Sequence, residues 1–394
     1  MTWKEEQLDG DQKKAGGRFE DARSCYERAI AGLSGANGND SELAEALRAL
    51  ASTNKELCLY DEALGNAQEA LTICARVNSR PELKAEVLTE LGSILTKLKR
   101  FDEAENSFEE SLTLKRQNFS GPASIATTLN EYGKAKLDQD KALEAEPMLS
   151  QALGIFEQAT NRQDGYAETL NILSVLHSKA HNYTLAEPLC KRALAIRRRE
   201  MGTHLVVAES LHNLGVQHLK RGQAGKAETL WREALEIKEQ FLPAAHPSMI
   251  LSLNHLSSAC LAVRKFDEAE ALYKKSLQLQ EGTTDGDEHF LANAVAGLGL
   301  TYLQQGRFKE AEPYIKRSLS LLDEEGVRDA IEEKGLLDEL FTCYVFQGKF
   351  GDALRLVPDT MRAKHTSEFN NFVDLVGHLG SLASKLFELK DDKK

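Results

Sequence analysis

Phe101-Asp102-Glu103-Ala104 is one copy of a phrase that returns along the whole chain: an aromatic, a polar or acidic pair, then alanine. Earlier copies read Phe19-Glu20-Asp21-Ala22 and Tyr60-Asp61-Glu62-Ala63. Later ones read Tyr183-Thr184-Leu185-Ala186, Phe266-Asp267-Glu268-Ala269, Phe308-Lys309-Glu310-Ala311 and Phe350-Gly351-Asp352-Ala353. Two degenerate copies, Ala142 to Ala145 and Ala224 to Ala227, fill the gaps. The nine closing alanines are Ala22, Ala63, Ala104, Ala145, Ala186, Ala227, Ala269, Ala311 and Ala353, spaced by 41 residues five times and then by 42 three times. A fixed period of this length is the signature of a repeat array, in which no unit buries its own apolar face.

Other columns keep the same register. Twelve residues before the anchors of the second to eighth repeats stand Ala51, Gly92, Gly133, Ser174, Gly215, Ser257 and Gly299, all small. Seven residues after the anchors stand Ala29, Ala70, Ser111, Ala152, Ala193, Ala234, Ser276 and Ser318. Small side chains there let two helices approach closely. Leucine pairs such as Leu47 and Leu50, Leu88 and Leu91, or Leu211 and Leu214 form an apolar stripe of helical period. Each unit therefore reads as a helix A, a tight turn before the aromatic, and a helix B carrying bulky residues such as Tyr26, Phe108, Leu149, Trp231 and Tyr273. In the first repeat, Glu6, Asp9 and Lys13 replace apolar residues, as suits an exposed end. In the last, Phe341 occupies the small position.

The totals agree. At 394 residues the chain exceeds what one core usually organises. It has 42% hydrophobic residues, 28% charged residues, only 8 prolines and 7% aromatics, a composition that favours helices over a β-rich architecture. A net charge of −12 argues against phosphate-backbone binding. No apolar run approaches the roughly 20 residues of a membrane span, and the start at Met1 has no signal-peptide core. The six cysteines, Cys25, Cys58, Cys74, Cys190, Cys260 and Cys343, lie far apart without a CxxC pair, so reduced thiols in the cytoplasm are expected.

Taken together, these columns resemble the tetratricopeptide repeat over nearly the whole chain. The 41–42-residue period resembles the subclass seen in kinesin light chains and nephrocystin-3-like proteins. Val207-Ala208-Glu209-Ser210-Leu211-His212-Asn213-Leu214-Gly215 and Ala186-Glu187-Pro188-Leu189-Cys190-Lys191-Arg192-Ala193-Leu194 carry that likeness best, and His246-Pro247 between repeats shares it. The resemblance implies an all-α, right-handed superhelical α-solenoid of about nine helix-turn-helix repeats over residues 1–366. A C-terminal capping helix is expected at 367–390 and a disordered tail at 391–394. It also implies a concave groove, lined by helices A, that holds peptide segments of partner proteins.

Two helix A columns are the groove candidates. They supply Asn130, Asn171, His212, Asn213, Asn254 and His255, whose polar groups suit an extended peptide backbone. The plainer reading is exposed helix polarity. An acidic stripe of Glu45, Glu86, Glu168 and Glu209 reads better as first-turn carboxylates favoured by the helix dipole. The matched Lys, Asn and Arg of a chaperone-tail carboxylate clamp cannot be assembled.

Catalytic patterns are missing from the sequence. His177 and His181 have metal-capable spacing, but the residues between them lack the glutamate of a metalloprotease motif, and His177 falls in a core column. Gly222-Gln223-Ala224-Gly225-Lys226 imitates a phosphate loop with the wrong spacing and reads as a turn. Arg197-Arg198-Arg199 diverge around a helix and are expected to pair with neighbouring acids. The expectation is a non-catalytic scaffold or adaptor without a cofactor, monomeric and cytoplasmic, binding a peptide or helix of a partner protein without metal, nucleic acid or membrane. The alternative is a regulator that changes pitch on sensing a short peptide.

Overall fold

Five residues before every anchor alanine the backbone turns left-handed. The residues are Gly17, Cys58, Lys99, Asp140, His181, Gly222, Arg264, Gly306 and Gly348, with φ between 56° and 75°. Each sits in the same double hydrogen bond. In the third hairpin, Arg100 N–H donates to Leu95 O at 2.9 Å and Lys99 N–H to Thr96 O at 3.0 Å. This Schellman arrangement satisfies the last carbonyls of one helix and reverses the chain. The next helix then opens at or beside the aromatic of the repeated phrase, as expected.

In this computed structural model, residues 2–33, 39–77, 80–118, 121–159, 163–281, 288–324 and 330–356 are described; among them there are helices and turns but no strand. Contacts divide the chain into two units, Met1–His246 and Pro247–Lys394. The first unit holds six hairpins: α1 (Trp3–Ala15) with α2 (Phe19–Leu33), α3 (Asp40–Glu56) with α4 (Tyr60–Val77), α5 (Pro81–Lys97) with α6 (Phe101–Gln117), α7 (Pro122–Asp138) with α8 (Ala142–Gln158), α9 (Gln163–Lys179) with α10 (Tyr183–Met201), and α11 (Leu205–Lys220) with α12 (Ala224–Lys238). The second holds three: α13 (Pro247–Ala262) with α14 (Phe266–Glu281), α15 (Glu288–Gln304) with α16 (Phe308–Glu324), and α17 (Ala330–Phe346) with α18 (Phe350–Leu356). The expected capping helix at 367–390 and the tail lie outside the described residues.

The small columns are the joints of each hairpin. All nine anchor alanines are fully buried. A Cβ on Gly92 would lie 2.8 Å from the Phe108 ring, on Gly133 2.7 Å from Leu149, on Gly215 2.4 Å from Trp231 and on Gly299 2.9 Å from Ile315. Each bulky partner stands four residues after an anchor. Gly10 meets Tyr26 in the same way at 2.8 Å, so the column extends into the first repeat. The polar residues of that repeat turn onto its own second helix: Glu6 pairs with Arg28 at 2.8 Å, and Asp9 and Lys13, paired with each other at 2.8 Å, each lie 3.2 Å from Cys25 Sγ.

Within each unit, every hairpin packs on the next, and the first helices also pack on one another: α3 on α5, α5 on α7, α7 on α9 and α9 on α11, then α13 on α15 and α15 on α17. The first helices therefore crowd the inside of the curve.

Candidate functional site

The inner wall of the first unit is built from α3, α5, α7, α9 and α11, and a polar ladder crosses it. Lys55 on α3 pairs with Glu90 on α5 at 2.8 Å and donates to Ser93 at 3.3 Å. Ser93 donates to Glu131 on α7 at 3.0 Å, which pairs with Lys134 at 3.0 Å. Lys134 reaches Glu168 on α9 at 2.5 Å. Glu168 also pairs with Arg197 from α10, whose other side lies 3.6 Å from Glu209 on α11. Burial alone would raise the Glu131 carboxyl, but Lys134 and Lys55 outweigh it and hold it at about 2. The same balance lowers Glu90 and raises Lys55.

The acidic stripe is thus engaged with the chain's own cations, since Glu45 also meets Arg80 at 3.6 Å and Glu86 meets Arg48 at 3.5 Å. The three adjacent arginines do diverge: Arg198 pairs with Glu233 and Arg199 with Glu200, while Arg197 stays inside.

The six predicted groove residues fall in different settings. Asn130 is buried and donates to Thr169 at 2.9 Å, tying α7 to α9. Asn171, also buried, accepts from Asn213 at 3.2 Å, tying α9 to α11. His212 is half-buried beside Trp231, whose indole N–H donates to the His212 carbonyl at 3.0 Å. In the second unit, buried Asn254 donates to Phe290 O at 3.1 Å and accepts from Ser276 at 2.6 Å, and His255 is half-buried. Asn213 alone among the six lines a described cavity, about 240 Å³, shared with Val175, His181, Tyr183, Val216 and Gln217.

A larger cavity, about 410 Å³, opens at the other ends of the inner helices, between Arg48, Glu86, Thr89, Lys115, Thr127, Phe156 and Asp164. Sequence reasoning missed its floor, Lys115, a residue of α6 that is 3% exposed. The signal was present: eleven residues after successive anchors stand Lys115, Phe156, Arg197 and Lys238, a core column that admits cations. All four are buried.

The first unit also closes on itself. His204 Nε2 donates to Ala15 O at 2.9 Å, and His246 Nε2 to Glu56 O at 2.9 Å. A Cβ on Gly17 would meet the Phe241 ring at 3.0 Å. The turns of the first two hairpins therefore rest on the loops that flank the sixth. His181 lies in a turn beyond the last residue of α9, so helical i,i+4 geometry does not join it to His177. Glu6, Asp9 and Cys25 approach one another closely enough for a metal, but Arg28 and Lys13 already occupy them.

The tetratricopeptide-repeat profile matches residues 83–158, 165–240 and 248–324, more than half of the chain. The chain belongs to the tetratricopeptide-repeat family. No curated protein matches it in sequence. Among solved structures it is similar to the apo form of the quorum sensor NprR from B. thuringiensis, with 14% identity, TM-score 0.57, and 90% of this chain covering 96% of that one. A tetratricopeptide-repeat sensor protein of the STAND class from Pyrococcus horikoshii gives 13% identity and TM-score 0.55, over 85% of this chain and 49% of that one. A putative kinesin light chain from Podosopora anserina gives 20% identity and TM-score 0.45, over 52% of this chain and 98% of that one. At these identities the likeness concerns the fold.

Proposed function

We propose that this tetratricopeptide-repeat protein is a non-catalytic scaffold or adaptor that holds an extended peptide or a helix of a partner protein against its first helices. The observation that carries this reading is the inner wall of the first unit, where successive first helices offer polar side chains beside two open cavities. Peptide pockets combine apolar walls with a few placed polar groups, and Asn213 between Val175 and Val216 has that character. Asn130, Asn171 and His212 belong to the same proposed lining, Asn130 and Asn171 acting mainly through the neighbours they position; in the second unit, Asn254 and His255 are proposed for the lining of that unit's own first helices. The setting proposed is the cytoplasm, with the protein as a single copy.

The test is affinity capture with the full chain, followed by the variants Asn213→Ala and Val216→Glu. A specific partner lost from both variants, with helical circular dichroism unchanged, supports the reading. Equal retention by both variants removes these residues from the site. Light scattering reads the oligomeric state in the same preparation.

A second reading, a regulator that senses a short peptide, is favoured by the His204–Ala15 and His246–Glu56 contacts. Their loss changes the pitch of the first unit, and small-angle scattering with and without the captured peptide distinguishes a responsive protein from a passive holder.

A further inference from the structure

Lys115 and Arg197 occupy equivalent places two repeats apart, and each is 3% exposed. Each projects from a second helix between two first helices. Arg197 finds a carboxylate on both, Glu168 from α9 and Glu209 from α11. The corresponding residues around Lys115 are Glu86 on α5 and Thr127 on α7. Glu86 is turned toward Arg48, 3.5 Å away, and Thr127 has no charge. Among the described residues no carboxylate stands within ion-pair distance of Lys115.

Neutral oxygens hold the ammonium in place instead. Lys115 Nζ donates to Thr128 Oγ1 at 2.7 Å, to Ser124 O at 3.2 Å and to Thr89 Oγ1 at 3.4 Å. Each threonine hydroxyl has a neighbouring oxygen to donate to, Ala85 O or Ser111 Oγ for Thr89 and Ser124 O or Thr89 Oγ1 for Thr128, so both keep a lone pair for the lysine. Such a cradle orients the charge without neutralising it. Burial accordingly pushes the Lys115 pKa down to about 8, and nearby Arg48 adds to the effect. The buried Arg48 Nε makes no hydrogen bond. Two cations therefore share the neighbourhood of Glu86, while Glu90, which also lines the cavity, is committed to Lys55 at 2.8 Å. A buried charge is costly until an opposite charge and hydrogen bonds meet it.

We infer that the cavity over Lys115 is a carboxylate-binding site, which takes the Asp or Glu side chain of a partner segment between Lys115 and Arg48. The partner as the source of that carboxylate rests on the peptide-binding reading above; the site itself does not. Exposed Glu86 and Asp164 on the cavity lining give the ligand a second requirement. They repel a run of acids and favour a segment in which the acidic residue has a lysine or arginine beside it.

The probes are a capped heptapeptide with one glutamate flanked by lysines, the same peptide with glutamine in that place, an all-acidic peptide, and free glutarate. Calorimetric titration uses the full chain, Lys115→Met and Thr127→Glu. Position 127 is exposed, so the Thr127→Glu variant brings its own carboxylate to Lys115 without disturbing the core. The lysine-flanked glutamate peptide is expected to bind at least tenfold tighter than the glutamine and all-acidic peptides, and at least tenfold tighter to the natural chain than to either variant. Peptide binding that both variants leave unchanged overturns this site while leaving the scaffold reading intact. Lys115-dependent binding of glutarate without peptide binding keeps the site and overturns the partner as its source. Binding of neither carboxylate probe overturns the site itself.

Discussion

The imidazole of His204 donates Nε2–H to the carbonyl of Ala15, 189 positions earlier in the chain. Its other nitrogen, Nδ1, accepts the Val206 N–H at 3.4 Å and caps α11. A backbone N–H can only donate, so this pair of bonds selects the neutral ring with its proton on Nε2. His246 makes the companion contact to Glu56 O.

Acidification should loosen the first unit. Burial holds the His246 pKa below its ordinary value. As pH falls through about 6.5, the unfolded chain takes up the proton before the folded one, so stability declines from that point downward. Urea unfolding at pH 7.5 and pH 5.5 should show this loss, and His246→Gln should reduce its slope. A second decline should follow as pH falls from 4.5 toward about 2, where Glu131 leaves its pairing with Lys134 and Lys55.

Lys115 should make the protein more stable in mild alkali. Its folded pKa of about 8 lies below the ordinary 10.5, so the folded chain loses this proton first and stability rises with pH between those values. Lys238, held at about 8 by burial, acts in the same direction. Lys115→Met should raise stability at pH 7 by about 1–3 kcal/mol and flatten part of the alkaline rise, as read by thermal unfolding at pH 7, 8.5 and 10.

Gly215→Ala should cost about 1–3 kcal/mol, because its methyl would fall 2.4 Å from the Trp231 indole nitrogen in a packed joint. Gly65→Ala, within α4, meets nothing within 4 Å and should instead stabilise by about 0.5–1 kcal/mol. Chemical denaturation of the two variants checks the contrast.

Lys99 and Arg264 hold left-handed turn positions that glycine fills in four other hairpins. Left-handed φ costs a non-glycine residue about 1–2 kcal/mol, partly offset by the entropy that glycine adds to the unfolded chain. Lys99→Gly and Arg264→Gly should each raise the unfolding midpoint, with a gain of up to about 1 kcal/mol.

The period made the hairpins legible because packing repeats with the sequence: wherever Gly92, Gly133 or Gly215 recurs, a bulky residue of the next helix fills the space. The turns were legible only in position. Nothing about Cys58 or Arg264 announces a left-handed backbone; the Schellman bonds around them impose it. The polar columns were harder for a related reason. Asn130 and Asn171 share a register, but what each does depends on the residue brought opposite it, Thr169 in one case and Asn213 in the other. Lys115 escaped notice because its meaning lies in a comparison with Arg197, and only the placement of Glu168 and Glu209 supplies it.

The seam joins the early turns to the loops that flank the α11–α12 hairpin, so the first unit is tied to itself from its first repeats to its sixth. For the guest proposed above, a long segment has two ways to the first helices: threading past an open end, or waiting for the seam to part. Either route makes entry slower than diffusion, and once the seam recloses, departure slows as well. Loosening that seam at His204 or His246 should therefore speed both arrival and escape of a long guest, even where its resting occupancy barely changes.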